Sequence, residues 1–287
     1  MKETARVSYR FLRQEVWNNL LLFPFYNRRF QALQREARRS QSHTYTRFYR
    51  SEGQLRALTE QVIPFIQSGL DGAGNEPVQI NIMAGSNGAE AVTITSVLLK
   101  ECPGLNFRVH CSDLHESTVA QARSGIYELS EVDNTGVPED FIERTFQKTG
   151  QHLRVRPDIL DRITFFQANI VSDPLPKLYP PGDLVFMQNV LFHLEDTDAR
   201  SAFSNCLAIA KPRSAFFLDG MPLEMRVELT RAANLEPLNY QVKKIHQDAR
   251  KHVPDDWWNF YYGSEPYLFF RMNKLYRYGT IFLKQYE

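Results

Sequence analysis

The sequence is short of the features that mark secreted, membrane-spanning or metal-bound proteins. No stretch approaches the roughly 18 consecutive apolar residues of a membrane span. The charged first residues, Met1 to Arg6, are followed by neither the apolar core nor the cleavage site of a secretory signal. The 3 cysteines are odd in number and lack metal-ligand spacing. These absences predict a cytoplasmic protein with no membrane insertion, no disulfide framework and no metal site.

The chain also has little net charge, +1, but its charges are unevenly distributed. Residues 1–70 contain 12 lysines and arginines against 5 acidic residues, whereas the remainder contains 22 against 28. A basic front region can attract an acidic protein partner. It can equally be an arginine-rich helical face in contact with solvent. The sequence leaves both interpretations open.

Glycine is scarce in residues 1–70, where apolar residues recur at three- and four-residue spacing, as at Leu55, Leu58, Val62 and Ile66. This period is typical of helices, so we predict a small N-terminal helical domain over 1–70. A glycine-rich stretch at 68–75 is a natural linker. The second predicted domain covers residues 76–287.

After this linker, short apolar runs alternate with helical segments. Helices are predicted over 90–100 and 197–210 and between residues 113 and 122, and strands over 78–84, 107–112, 163–167, 184–188 and 215–218. Strands that alternate with helices indicate βαβ units. We therefore predict an α/β fold with a Rossmann-like, mostly parallel sheet.

Two elements of a nucleoside-binding site follow the first two predicted strands. Gly85 and Gly88 form a turn after the first strand, and Asp113 ends the second. In such sheets the glycine turn lets a ligand approach the backbone, and the acidic residue accepts hydrogen bonds from ribose hydroxyls. Asp113 could instead be the N-cap of the next helix.

The segments around these residues make the pattern specific. In matching order between about residues 44 and 220, five of them resemble the chemotaxis receptor methyltransferase (CheR-type) family: Thr46–Ser51, Ala84–Glu90, Ser112–Leu114 with Ala122–Tyr127, Phe165–Ile170 and Asp183–His193. The Ala-Arg-x-Gly-x-Tyr stretch in the third is the strongest match, because generic dinucleotide folds do not require it. The resemblance implies an S-adenosylmethionine-dependent methyltransferase sheet whose last strand is antiparallel.

By this resemblance the residues that bind the methyl donor are Thr46, Arg50, Gly85, Gly88, Glu90, Asp113, Asn169 and Asn189. Glu90 would bind the amino end of the methionine part, Asp113 the ribose and Asn169 the adenine region. Asn189 would lie at the face where the methyl group is transferred, and Arg50 near the donor carboxylate or the acceptor. Two alternatives stay open, since Asn169 could be a turn residue and Arg50 a surface ion-pair partner.

The departures from the family pattern cluster where the acceptor would bind. Gln188 replaces an arginine, His193 replaces a tyrosine, and Asp219-Gly220-Met221-Pro222 replaces a Gly-x-Ser-Glu ending. One carboxylate of a paired Glu-Glu is also missing, at Ala89. These changes suggest that the reaction is kept and the substrate is altered.

The predicted substrate is therefore a small molecule or small peptide with a carboxyl, hydroxyl or nitrogen acceptor. The alternatives are a chemoreceptor glutamate and a non-catalytic module that binds S-adenosylmethionine. A nucleic acid is disfavoured because no basic, aromatic-rich stripe lies near the strand that precedes Asn189. The predicted catalytic residues are His193, Asn189 and Arg50, and His193 is either a general base or a packing group.

Two further regions have predicted roles. Residues near 141–165 correspond to a small inserted β-subdomain that docks on the receptor in some family members. The segment 255–282 contains eleven aromatic residues, which could line a substrate pocket or pack as ordinary core.

Overall fold

The computed structural model describes residues 46–69, 76–133, 136–221, 223–251, 267, 269–270 and 272–285. Its first regular element is a helical segment that consists of α1 (Glu52–Ala57), a π-helical turn (Leu58–Val62) and α2 (Ile63–Gln67). The apolar residues predicted to share one helix face, among them Leu58 and Ile66, are buried in the same core as the strands described below. Residues 1–45 and 70–75 lie outside the described part, so a separate domain over 1–70 stays a prediction.

The described residues form ten strands, numbered along the chain: β1 (Val78–Ile82), β2 (Phe107–Asp113), β3 (Ile126–Glu128), β4 (Phe146–Thr149), β5 (His152–Val155), β6 (Ile163–Gln167), β7 (Gly182–Gln188), β8 (Ala210–Asp219), β9 (Glu236–Pro237) and β10 (Ile281–Lys284). Seven make one sheet in the order β6-β2-β1-β7-β8-β10-β9. Strand β10 runs antiparallel to its neighbours β8 and β9, while the other pairings in this sheet are parallel. The predicted fold class, including the antiparallel last strand, is confirmed.

The remaining helices surround this sheet or connect its strands. They are α3 (Ala89–Glu101), α4 (Glu116–Ser124), α5 (Leu129–Asp133), α6 (Glu139–Thr145), α7 (Pro157–Leu160), α8 (Leu175–Leu178), a 3-10 turn (Leu191–His193), α9 (Asp196–Ala208), α10 (Leu223–Ala232), α11 (Val242–Lys251) and α12 (Lys274–Tyr278). No helix in the described ranges is long and apolar enough to cross a membrane.

Strand β7 shows why the sheet is covered on both faces. Its Leu184 and Phe186 belong to the cluster that contains α1, α2 and α3, whereas Val185 and Met187 belong to the cluster on the opposite face with α9. Because successive side chains of a strand point to opposite faces, a strand buried on both sides must be apolar throughout. This explains the continuous apolar run at 184–187.

A second, smaller sheet is inserted between α4 and β6. Its three strands are antiparallel in the order β3-β5-β4, and its core includes Tyr127, Phe146 and Leu153. The sheet lies in the region where a β-subdomain was predicted near 141–165, but its first strand begins earlier, at Ile126. A three-residue strand is too short to show an alternating pattern, so its position could not be predicted from periodicity.

The aromatic segment near the C-terminus is described only in part. Residues 255–266 lie outside the described residues, so the predicted pocket wall stays a prediction there. Tyr278 and Phe282 are fully buried, and Phe282 pairs with Phe216 in the sheet register. These two aromatics pack as ordinary core.

Candidate functional site

The candidate site lies at the carboxyl ends of the central strands. Strand β1 has β2 on one side and β7 on the other, so the chain order reverses direction at β1. Ligands of open α/β sheets bind beyond the strand ends at such a switch point. The predicted residues Gly85, Asp113 and Asn189 follow or end these three strands, so the topology brings them to one edge of the sheet.

The turn after β1 needs both of its glycines. A Cβ at Gly85 would lie 2.2 Å from Cys111 Sγ, and a Cβ at Gly88 would lie 2.9 Å from Ala122 Cβ. Gly88 also has φ 87°, in the left-handed region that favours glycine. The Gly85 N–H donates to the carbonyl of Ser112 at 2.8 Å, which holds the turn against the end of β2.

The carboxylate of Asp113 is buried and accepts three hydrogen bonds. Oδ2 accepts the backbone N–H of Ser86 at 2.8 Å, while Oδ1 accepts the His115 N–H at 3.0 Å and the Thr118 hydroxyl at 3.1 Å. The N-cap residue of α4 is His115, so Asp113 supports the start of that helix without being its cap. It also ties the glycine turn to β2. Its contact with ribose stays a prediction.

Glu90 and Arg50 lie close enough to interact electrostatically. Glu90 is partly buried in the first turn of α3, and burial raises the pKa of its carboxyl to about 7 while the Arg50 guanidinium opposes the shift. The structure therefore brings Arg50 to the predicted donor site. Thr46 is half-buried at the start of the same segment, whose Tyr49 N–H donates to Thr93 Oγ1 on α3 at 3.0 Å.

Asn169 follows β6 and forms a tight turn. Its Oδ1 accepts the Val171 N–H at 2.9 Å, and its backbone N–H donates to Asp173 Oδ2 at 2.8 Å. The side-chain oxygen of Asn169 is therefore used within the turn, as expected if Asn169 is a turn residue. A contact with adenine stays a prediction and would use the Nδ2 amide.

Asn189 combines an uncommon backbone conformation with a buried side-chain amide that has no partner among the described residues. It has φ 54°, an uncommon conformation for a residue other than glycine. Its Nδ2 is buried and has no hydrogen-bond partner among the described residues. Gly220 packs against it so closely that a Cβ there would lie 2.6 Å from the Asn189 Cα. Buried donors are nearly always satisfied in folded proteins, so a partner supplied by a ligand would explain this one.

His193 ends the 3-10 turn that follows Asn189. The centroid of its ring lies 3.9 Å from that of Phe192, and its backbone N–H donates to the Val190 carbonyl at 3.0 Å. The ring is half-buried and held in place, which suits a base as well as a packing group. The choice between these two roles stays a prediction.

An ion pair that sequence patterns did not reveal lies beside Asn189. The Asp219 side chain is buried, its Oδ1 accepts the Gly220 N–H at 2.8 Å, and it lies 4.0 Å from Arg226 Nη1. Gln188, half-buried at the end of β7, is in register with Asp219 on β8. Asp219 stood out in the sequence as a departure from the family, but nothing linked it to a distant arginine.

A second residue missed by sequence analysis is Leu114, which directly follows Asp113. Its side chain is 51% exposed, unusual for a large apolar residue, and its carbonyl accepts a hydrogen bond from Gln167 Nε2 at 2.8 Å. An apolar side chain at the rim of a nucleoside site can cover the face of a flat base. Its place immediately after the acidic residue was the available signal.

Comparisons with known proteins identify the family of this chain. A family model described as "CheR methyltransferase, SAM binding domain" matches residues 44–222. The chain belongs to this family. The match confirms the predicted family and S-adenosylmethionine as the cofactor of this methyltransferase domain.

Two curated relatives are each named chemotaxis protein methyltransferase. The one from Salmonella typhimurium is 30% identical over 140 residues, which cover 47% of this chain and 48% of that protein. The one from Escherichia coli is 29% identical over 143 residues, with the same coverage of 47% and 48%. The chain thus spans about half the length of the curated relatives it matches.

Solved structures show a weaker likeness. A magnesium protoporphyrin IX methyltransferase from Synechocystis with bound SAM shares 14% identity, covers 67% of this chain and 68% of that chain, and gives a TM-score of 0.30. A score this low carries no argument about function.

Proposed function

We propose that the protein transfers a methyl group from S-adenosylmethionine to a hydroxyl or nitrogen acceptor on a small molecule or small peptide. The observation that carries this proposal is the charge beside Asn189. Gln188 is neutral where the family has an arginine, and the buried guanidinium of Arg226 lies 4.0 Å from the carboxylate of Asp219, the register partner of Gln188. A glutamate acceptor is ionised at pH 7, and burying it without a cation is costly. The arrangement therefore favours a neutral or protonated acceptor.

The residues present fit the methyl donor. It is a zwitterion with a ribose diol and a base edge, so it needs a cation, carboxylates and amides. The buried Nδ2 of Asn189, which has no hydrogen-bond partner among the described residues, supports a ligand at this edge. We assign the parts of the donor to Arg50 for the carboxylate, Glu90 for the amino group, Asp113 for the ribose, Asn169 for the adenine and Asn189 for the transfer face.

The chain's own contribution to the reaction is alignment and proton removal. S-adenosylmethionine supplies a methyl group that its sulfonium already activates, so holding donor and acceptor in line provides much of the acceleration. A hydroxyl or ammonium acceptor must also lose a proton. His193 follows Asn189 by four residues and is held by the 3-10 turn, so its imidazole is the group assigned to take that proton.

The experiment that tests this proposal compares acceptors. Purified protein would be incubated with methyl-labelled donor and either chemoreceptor fragments or a panel of alcohols, phenols, amines and small peptides. We expect labelling in the panel and none on receptor glutamates. Receptor labelling by the wild type would overturn the proposed substrate class, and donor binding without transfer to any acceptor would favour a binding module.

The second candidate is a chemoreceptor glutamate methyltransferase. It is favoured by the two chemotaxis protein methyltransferases that share about 30% identity with the chain. In that case the basic residues of 1–70 would form a docking surface for an acidic receptor, and the labelling rate would fall as salt is added. Receptor labelling by the wild type would establish this candidate, whereas labelling that appears only in Gln188→Arg, which restores the family's arginine, would support the first proposal.

A further inference from the structure

We infer that the small antiparallel sheet positions the donor-binding turn through Tyr127. This residue lies on β3, and its hydroxyl donates to the main-chain carbonyl of Asn87 at 2.6 Å. Asn87 lies within the turn that carries Gly85 and Gly88. The inference rests on the proposed function, because it takes this turn to be where the donor binds.

The turn needs support from outside itself. Ala84 and Ser86 have φ 53° and 51°, left-handed conformations that cost energy for residues with a Cβ. Such conformations persist where surrounding contacts hold them. On the side of the large sheet those contacts come from the Ser112 carbonyl and the Asp113 carboxylate. The Tyr127 hydroxyl adds a contact from the small sheet.

Tyr127 is itself held rigidly. It is 1% exposed, and its ring packs edge-on against Phe48 at a centroid distance of 4.9 Å. Burial raises the pKa of its hydroxyl, so the group stays protonated and remains a hydrogen-bond donor at neutral pH. A hydroxyl fixed in this way can hold the Asn87 carbonyl in one orientation.

The same contact fixes a second donor-site segment. Phe48 lies between Thr46 and Arg50, and its ring also meets Phe146 of the small sheet edge-on, at 5.3 Å. The segment 46–50 and the glycine turn therefore rest on one aromatic core. Tyr127 is a positioning residue in this arrangement, since it touches the turn and is not assigned to the donor.

The test removes the hydroxyl alone. Tyr127→Phe should weaken S-adenosylhomocysteine binding about 3- to 10-fold, as expected for the loss of one hydrogen bond to a main-chain carbonyl. Hydrogen exchange should become faster in peptides that cover residues 84–88 and stay unchanged in β8 and β10. The matched control is Tyr240→Phe, which removes a hydroxyl bonded to Glu60 and should change neither quantity.

A second variant separates positioning from the stability of the small sheet. Val155→Ala shortens a side chain that is 1% exposed in the same core but keeps the Tyr127 hydroxyl. It should lower the thermal midpoint and leave affinity within about twofold of the wild type. Equal loss of affinity in both variants, or wild-type affinity in Tyr127→Phe, would overturn the inference. Failure of the wild type to bind S-adenosylhomocysteine would instead overturn the proposed function on which the inference rests.

Discussion

The donor side and the acceptor side of the site are built in different ways. On the donor side, the site is shaped mainly by the main chain. The turn contains left-handed residues and two glycines at which a Cβ would not fit, and a carboxylate accepts one of its N–H groups. On the acceptor side, the candidate groups are single side chains, Gln188 and Asp219 at strand ends and His193 in the 3-10 turn. The turn has little freedom to change, because its conformation depends on glycines and on left-handed residues. The proposed function, with a kept cofactor and an altered substrate, rests on this difference.

The largest expected effect is on the reaction rate and concerns His193, on the acceptor side. With a hydroxyl or amine acceptor, His193→Gln should lower the maximal rate about 10²- to 10⁴-fold, because it keeps size and hydrogen bonding but removes the base. Donor affinity should change little, and the acidic limb of the pH–rate profile should disappear. Steady-state kinetics with labelled donor would measure both effects. A near-normal rate with the same profile would make His193 a packing group.

The next effect tests the donor side. Asp113→Asn should weaken S-adenosylhomocysteine binding by about 1–3 kcal/mol, since the ribose hydroxyls lose a charged acceptor. Calorimetric titration would measure the change. The matched control is Asp183→Asn, a buried carboxylate at the opposite end of the sheet that binds Lys211 and the Gln79 N–H. This control should reduce stability and leave donor affinity unchanged. Equal affinities in the wild type and Asp113→Asn would remove the ribose assignment.

The raised pKa of Glu90 gives a pH dependence with opposite signs for binding and stability. The folded pKa is about 7 against 4.5 for an ordinary glutamate. In the proposed arrangement the donor's amino group binds the ionised carboxylate, so affinity should fall as the pH drops below about 7. Without ligand, the folded state holds the proton more tightly, so this carboxyl's contribution to stability should decrease as the pH rises from 4.5 to about 7. Titrations and thermal melts across this range would show both trends.

The control for this pH dependence is Glu90→Gln, which has no ionisable group. Donor affinity in this variant should be lower at neutral pH and nearly flat across the range. A variant whose affinity still fell at acid pH would show that another group controls the titration.

The smallest expected effect concerns the rim of the donor site. Leu114→Ser should weaken S-adenosylhomocysteine binding about fivefold if the exposed side chain covers the adenine, an effect of roughly 1 kcal/mol of apolar burial. Leu178→Ser is the matched control, because Leu178 is 41% exposed and lies on α8. Calorimetry would compare the two variants. Identical effects would show that Leu114 has no specific contact.

Elements with strong local patterns could be predicted from the sequence, and elements that depend on distant contacts could not. Strand β6 has the predicted bounds, since its apolar run is bounded by polar residues. Strand β8 begins earlier than the predicted 215–218. The prediction relied on the apolar run and missed the first residues of the strand, several of which are polar. There, Lys211 binds Asp183, and Arg213 donates to the Phe65 carbonyl and lies over the Phe65 ring. Tertiary contacts of this kind extend a strand beyond its apolar pattern.

The same distinction applies to the site. Gly85 and Asp113 could be placed because they follow or end strands at a known topological point, and Asn189 could be placed by the family resemblance. The Asp219–Arg226 pair could not be predicted, since no local pattern links the two residues. For Leu114 the local signal was its place after Asp113, which does not show that the side chain is exposed. The sequence likewise could not show that the Asn189 amide is buried with no hydrogen-bond partner among the described residues.

We propose that the donor side is kept and the acceptor side is altered, and the most direct test of this claim is a crystal structure with S-adenosylhomocysteine. We expect the ribose hydroxyls to bind Asp113, the methionine part to lie between Arg50 and Glu90, and the sulfur to face a space bordered by Asn189, Gln188 and His193. A ligand bound elsewhere would contradict the account. So would a sulfur that faces a cation able to bind the carboxylate of a glutamate acceptor.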